Sequence, residues 1–159
     1  MIEEKYNTII TIDPGVNGGY AVQSLYDEYG NKSKEIAVFK MQTDFEELCK
    51  SFMFYDSAVA YIENQQLRKT DFFNNTWHNI HKLCIHTETI KNALRCTGIK
   101  VIDLDAKKWQ KLYFLQSKTY KDRKKELKEK AQTIFHDRKV TAWNCDCLLM
   151  LNYINKTNG

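Results

Sequence analysis

Proline occurs once in the 159 residues, at Pro14, and no Ser/Gly-rich linker, low-complexity tract or repeat interrupts the chain. With nothing to mark a boundary, one domain spanning residues 1–159 is expected, long enough to bury most of its unfolded apolar surface. No apolar run approaches the roughly eighteen residues of a membrane span. The opening segment, MIEEKYN, is acidic and lacks the apolar stretch of a signal peptide. The five cysteines (Cys49, Cys84, Cys96, Cys145 and Cys147) are odd in number and lack the paired spacings of a zinc site or a disulfide framework. Cys145 and Cys147 form C-x-C without a second pair, and His78 and His81 read as partly exposed side chains. These absences point to an intracellular, reducing compartment, the cytoplasm of a bacterial or virus-infected cell, and to no membrane.

What is present is a globular composition, 43% hydrophobic and 13% aromatic, with an uneven charge. Lys107–Lys139 holds 12 Lys and Arg against four Asp and Glu, while the whole chain has a net charge of only +4. A basic face on a weakly acidic body fits a polyanionic partner such as nucleic acid. A solvated helix laced with i, i+4 ion pairs is the alternative, since Asp122 and Glu126 interleave acids with the bases.

Apolar runs over Asn7–Asp13, Gly19–Leu25, Glu35–Met41, Ser57–Glu63 and Ile99–Leu104 predict five strands. Helices are expected from Thr43, as N-cap, to Phe52; over Thr70–Cys96, ended by Gly98; over Tyr120–Phe135; and from Asn144 to Ile154. The order βββ-α-β-α-β-α-α predicts an α/β fold with a five-stranded mixed sheet. In it β1–β3 form an antiparallel meander, β4 and β5 join in parallel, and helices flank the sheet.

Two strands end in an acid, Asp13 in TIITIDPGVNGG and Glu63 in AVAYIEN. A carboxylate at the rim of a core costs several kcal/mol unless it is compensated. Two on separate strands suggest a shared cation, and Mg²⁺ suits an all-carboxylate set. If the fourth strand lies beside the first, Asp13 and Glu63 reach the same edge, where ligands favour the carboxyl ends of strands.

IDPGxxGG, IEN and a late helix bearing Asp146 in that strand order resemble the ribonuclease H-like nucleases. Within them the likeness is to RuvC-type Holliday junction resolvases of the compact phage and viral kind. Asp13-Pro14-Gly15 with Gly18-Gly19 resembles the first catalytic motif, Ile62-Glu63-Asn64 the second, and Asp146-Cys147-Leu148-Leu149 the opening of the final helix. Val101 to Trp109-Gln110-Lys111 and Lys130-Ala131 to Phe135 resemble two further family segments. I-D-x-G also occurs in actin-like ATP-binding folds, but those need two such domains and far more chain. In one respect the chain departs from the pattern. Family members usually carry an Asp or His three or four residues before the helix acid, where this chain has Trp143 and Ala142. Asn144 is the nearest oxygen ligand, with helix N-capping as its alternative role.

The resemblance implies a structure-specific endodeoxyribonuclease that resolves four-way DNA junctions by paired nicks, leaving 5′-phosphate and 3′-hydroxyl ends. Asp13, Glu63 and Asp146, with Asn144 as a weaker candidate, would hold one or two Mg²⁺ ions, for which Mn²⁺ can substitute. Gly15, Gly18 and Gly19 would bring the backbone close to a phosphate, or serve only as a turn. Lys118, Lys121, Lys125 and Lys128, with Lys124 beside them, would contact DNA. Phe72 and Phe73 would wedge into the junction, or pack in the core or a dimer seam. The near two-fold symmetry of a junction suits a homodimer. A less selective flap, fork or RNA–DNA hybrid nuclease, and a catalytically impaired junction-binding protein, remain the alternatives.

Overall fold

In a computed structural model, residues 6–65, 77–117 and 119–158 are described. The chain runs through β1 (Thr8–Asp13), β2 (Gly19–Ser24), β3 (Ile36–Lys40), α1 (Phe45–Phe52) and β4 (Ala58–Glu63). It continues through α2 (Trp77–Cys96), β5 (Lys100–Leu104), α3 (Ala106–Lys111), α4 (Tyr120–Ile134) and α5 (Cys145–Asn158). The strands form one sheet in the order β3-β2-β1-β4-β5. β1–β2 and β2–β3 pair antiparallel, and β1–β4 and β4–β5 pair parallel, so the expected mixed sheet is the one observed.

Strand alternation decides which layer each side chain enters. Ile10 and Ile12 of β1, with Ala58, Ala60 and Ile62 of β4, pack on α1 and α2 through Leu48, Phe52, Ile90 and Leu94. Ile9, Val59 and Tyr61, on the opposite face, join Trp109, Leu127 and Leu148–Leu151 from α3, α4 and α5. The same parity sends Asp13 and Glu63 to the α5 side. α5 is apolar almost all round, as a helix enclosed by its neighbours should be: Cys145 and Cys147–Leu151 are buried, and Asp146 alone among them is partly open. Beneath the acids, the Thr11 hydroxyl donates to the Cys147 carbonyl at 2.7 Å, tying β1 to α5.

Two features differ from expectation. Asp44, not Thr43, caps α1, because its Oδ1 accepts from both Glu46 N (2.9 Å) and Glu47 N (3.1 Å). α3 was not foreseen; Asp105 caps it by accepting from Lys107 N. The expected start of the long helix at Thr70 lies outside the described residues. Its end agrees: Gly98, at φ 78°, takes the left-handed turn after α2. Among the described residues no helix is long and apolar enough to cross a membrane.

Candidate active site

β1 and β4 are parallel neighbours in register through Ile12 and Ile62. One residue further on, Asp13 and Glu63 end the two strands side by side. Asp146 comes to them from the first turn of α5, a helix end that favours negative charge. All three carboxylates line one cleft of about 640 Å³, together with Tyr120, Arg123 and Lys124 of α4.

Each acid is held. Asp13 Oδ1 accepts the Gly15 N–H at 3.1 Å, within a turn closed by Gly18 N donating to Gly15 O at 2.7 Å. A side chain at position 18 would place its Cβ 2.4 Å from the Asp13 carbonyl oxygen, so only glycine permits this approach. Glu63 Oε2 accepts from Trp109 Nε1 at 3.1 Å, and its Oε1 from Gln65 Nε2 at 2.8 Å. Lys124 Nζ lies 2.5 Å from Asp146 Oδ2 and 3.9 Å from Asp13 Oδ2. The thiol of Cys145 stands 3.2 Å from Asp146 Oδ1.

The electrostatics follow from this crowding. Burial, then Asp13 and Asp146, push Glu63 up to about 7. Burial and Asp146 also raise Asp13, against the opposing pull of Lys124. Burial would depress the Lys124 ammonium, but Asp146 and Asp13 outweigh it and hold Lys124 above its ordinary value. Burial and Asp146 push the Cys145 thiol up to about 12, so it stays protonated and can donate to Asp146. One ammonium thus serves Asp146 and Asp13 while Glu63 has none, and the cluster retains an affinity for further positive charge.

The remaining expected residues fall in three places. Lys121, Lys125 and Lys128 are exposed on α4. Lys124 instead shares the inner face with the buried Leu127 and Ala131. Asn144 occupies the N-cap position, its carbonyl accepting from Leu148 N, but its amide is turned away from α5. That amide accepts from Thr141 N at 2.7 Å and donates to Lys139 O at 3.3 Å, bracing the preceding loop. Lys118, Phe72 and Phe73 lie outside the described residues.

No protein-family model matches this chain, and no curated protein matches it by sequence. Solved structures do. A Thermus thermophilus RuvC structure aligns over 95% of this chain and 96% of its own, with a TM-score of 0.56 at 13% identity. T. thermophilus RuvC in complex with Holliday junction substrate aligns over 96% of each chain, with a TM-score of 0.55 at 11% identity. The fold is ribonuclease H-like.

A ribonuclease H-like fold that places acids on β1, β4 and the last helix raises the question of a divalent cation. The donor set is suitable: hard carboxylate oxygens, with Glu63 destabilised as an anion by burial and by its neighbours. Among the described residues, however, no three His, Cys, Asp or Glu side chains already stand in a metal-binding arrangement. The ammonium of Lys124 bridges two of the acids, in the role a shared cation would take. The residues would therefore fit a metal only where it displaces the Lys124 ammonium from Asp13 and Asp146. Sequence reading found the acids but not the parts that hold them. Trp109 marked a family segment without a role, and Lys124 was one lysine in a basic run. The signal for Lys124 was its i, i+3 and i, i+7 spacing to Leu127 and Ala131, which marks the inner face.

Proposed function

We propose that this protein is a metal-dependent endodeoxyribonuclease that resolves four-way DNA junctions by paired nicks leaving 5′-phosphate and 3′-hydroxyl ends, acting as a homodimer. The observation that carries the reading is the convergence of Asp13, Glu63 and Asp146 in one cleft bordered by the basic helix α4, on a ribonuclease H-like fold. The similarity to T. thermophilus RuvC, solved with Holliday junction substrate, supports four-way DNA as the substrate.

Asp13, Glu63 and Asp146 would hold one or two Mg²⁺ ions, or Mn²⁺ in their place. When bound, the metal supplies Lewis-acid stabilisation of phosphate charge and lowers the pKa of coordinated water. The chain's own residues supply the rest. Trp109 and Gln65 fix the direction of both Glu63 carboxylate oxygens. Lys124 balances the acids in the free protein and stands ready to neutralise an incoming phosphate. Lys121, Lys125 and Lys128 attract the flanking backbone, and the Gly15–Gly18 turn keeps bulk away from the strand.

The test is cleavage of labelled four-way junction, flap, RNA–DNA hybrid and linear duplex in Mg²⁺, Mn²⁺ and EDTA. Symmetric, religatable nicks in the junction alone, abolished in Asp13→Asn while binding persists, are the expected result. Equal cleavage of flaps or hybrids would overturn junction selectivity. The Lys124 bridge and the absence of an acid at Ala142 and Trp143 favour a second reading, a junction-binding protein with impaired catalysis. Tight junction binding without cleavage in either metal would select it.

A further inference from the structure

A second cavity, of about 270 Å³, opens beside the acid cleft. The two share Val16, Asn17, Gly18 and Ala142 as a common wall. Beyond that wall, the side pocket is lined by Lys40, Met41 and Trp143. Its volume lies just below the range of small-molecule sites, ~300–1,000 Å³, which suits one planar ring system better than an extended ligand.

The pocket is a built feature. Met41 N donates to Gly18 O at 3.2 Å, fastening the end of β3 to the Gly15–Gly18 turn. Trp143 is seated against Gly19 so closely that a Cβ at position 19 would fall 2.7 Å from the indole. The ring therefore depends on a residue without a side chain for its place. Met41 is buried beneath the pocket, Val16 is 64% exposed at its rim, and the exposed Lys40 sets a positive charge at the mouth. An aromatic ring, a thioether, a methyl-bearing rim and a cation are what an unstacked nucleobase and its attached phosphate would meet favourably.

We propose that this side pocket receives one nucleobase of the strand whose phosphate lies over Asp13, Glu63 and Asp146, with Trp143 as its stacking surface and Lys40 on the neighbouring phosphate. The inference rests on the nuclease reading for the position of the strand. Trp143 stands where the resemblance would place a metal-binding Asp or His. In this chain the position holds a base-binding side chain, and strand placement next to the cut depends on it. Trp143 is thereby a specificity-determining residue.

The test uses the full chain in EDTA with four-way DNA junctions carrying 2-aminopurine, or an abasic site, at each position flanking the branch point in turn. One position should show 2-aminopurine quenching on binding, retained in Trp143→Phe and lost in Trp143→Ala. An abasic site there should weaken wild-type binding roughly tenfold and leave Trp143→Ala unaffected. Lys40→Glu, at an exposed position independent of how Trp143 is seated, should reduce the quenching at that same position. Quenching that survives both Trp143→Ala and Lys40→Glu, or abasic penalties identical in wild type and Trp143→Ala, would overturn the proposal. Junction cleavage without any Trp143-dependent position would sink this inference alone, whereas Trp143-dependent quenching without cleavage in Mg²⁺ or Mn²⁺ would sink the nuclease reading alone.

Discussion

Trp109, fully buried in the α5-side core, reaches out with its indole N–H to the Glu63 carboxylate at 3.1 Å. A side chain fixed by packing thus aims the acid that ends the inner strand β4. The bond favours the ionised form of Glu63, opposing burial and the neighbouring carboxylates. Trp109→Phe keeps most of the ring and removes the donor. The expected outcome is a loss of about 1–3 kcal/mol in stability, together with an alkaline shift, in EDTA, of the pH at which Glu63 ionises. An unchanged stability–pH profile in EDTA would show that the Trp109 bond does not tune Glu63.

Glu63 also makes stability depend on pH. Its folded value of about 7 stands above its ordinary 4.5, so the folded state binds more protons between those values. Stability attributable to Glu63 is present below about pH 4.5 and is lost as pH rises towards 7, with a total on the order of 3 kcal/mol. Glu63→Gln should flatten that slope in urea denaturation measured in EDTA. A slope equal to that of wild type would assign the pH dependence elsewhere.

Removing the ammonium that bridges Asp13 and Asp146 leaves the acids without their internal counter-charge. Lys124→Met should lower stability by about 2 kcal/mol in EDTA, less than for a fully buried pair because the Lys124 side chain is 25% exposed. Mg²⁺ should restore more stability to the variant than it adds to wild type, since the metal takes over a vacated role; at a hundredfold excess over Kd a bound ion contributes about 2.7 kcal/mol. Differential scanning fluorimetry with and without Mg²⁺ reads this directly. Equal metal-induced shifts in the two proteins would separate Lys124 from the cation site.

Lys121, Lys125 and Lys128 should act on affinity and leave the chemistry alone. Each Lys→Ala change is expected to reduce the slope of log Kd against log salt for junction binding by about one unit, with cleavage of bound junction unaffected. A drop in single-turnover cleavage at saturating protein would give these lysines a role at the acids instead.

The strands and two of the acids could be read from the sequence because each leaves a short-range mark. A short apolar run marks a buried strand, and an acid at the end of one is conspicuous by its cost; Asp146 and the sheet order came from the resemblance and the order of elements. Other features leave no such mark. α3 has six residues, too few for a helical period to stand out from noise. Thr43 and Asp44 both make good caps, and only the backbone geometry selects Asp44. Lys124 lies within a run of lysines, and composition alone does not show that one of them turns inward. Asn144 occupies the N-cap place foreseen for it, yet its amide serves the preceding Lys139–Thr141 loop, a local choice between two sets of backbone partners that cap propensity alone does not decide.

The Thr11 hydroxyl that reaches the Cys147 carbonyl lies in the dry core, two residues below Asp13 and one beyond Asp146. It works as a gauge block between strand and helix. The separation of those two acids is set from inside the protein, by a bond that solvent, salt and the incoming strand do not touch. Changes at the mouth of the cleft can therefore alter what enters it without altering the spacing of the acids that receive it.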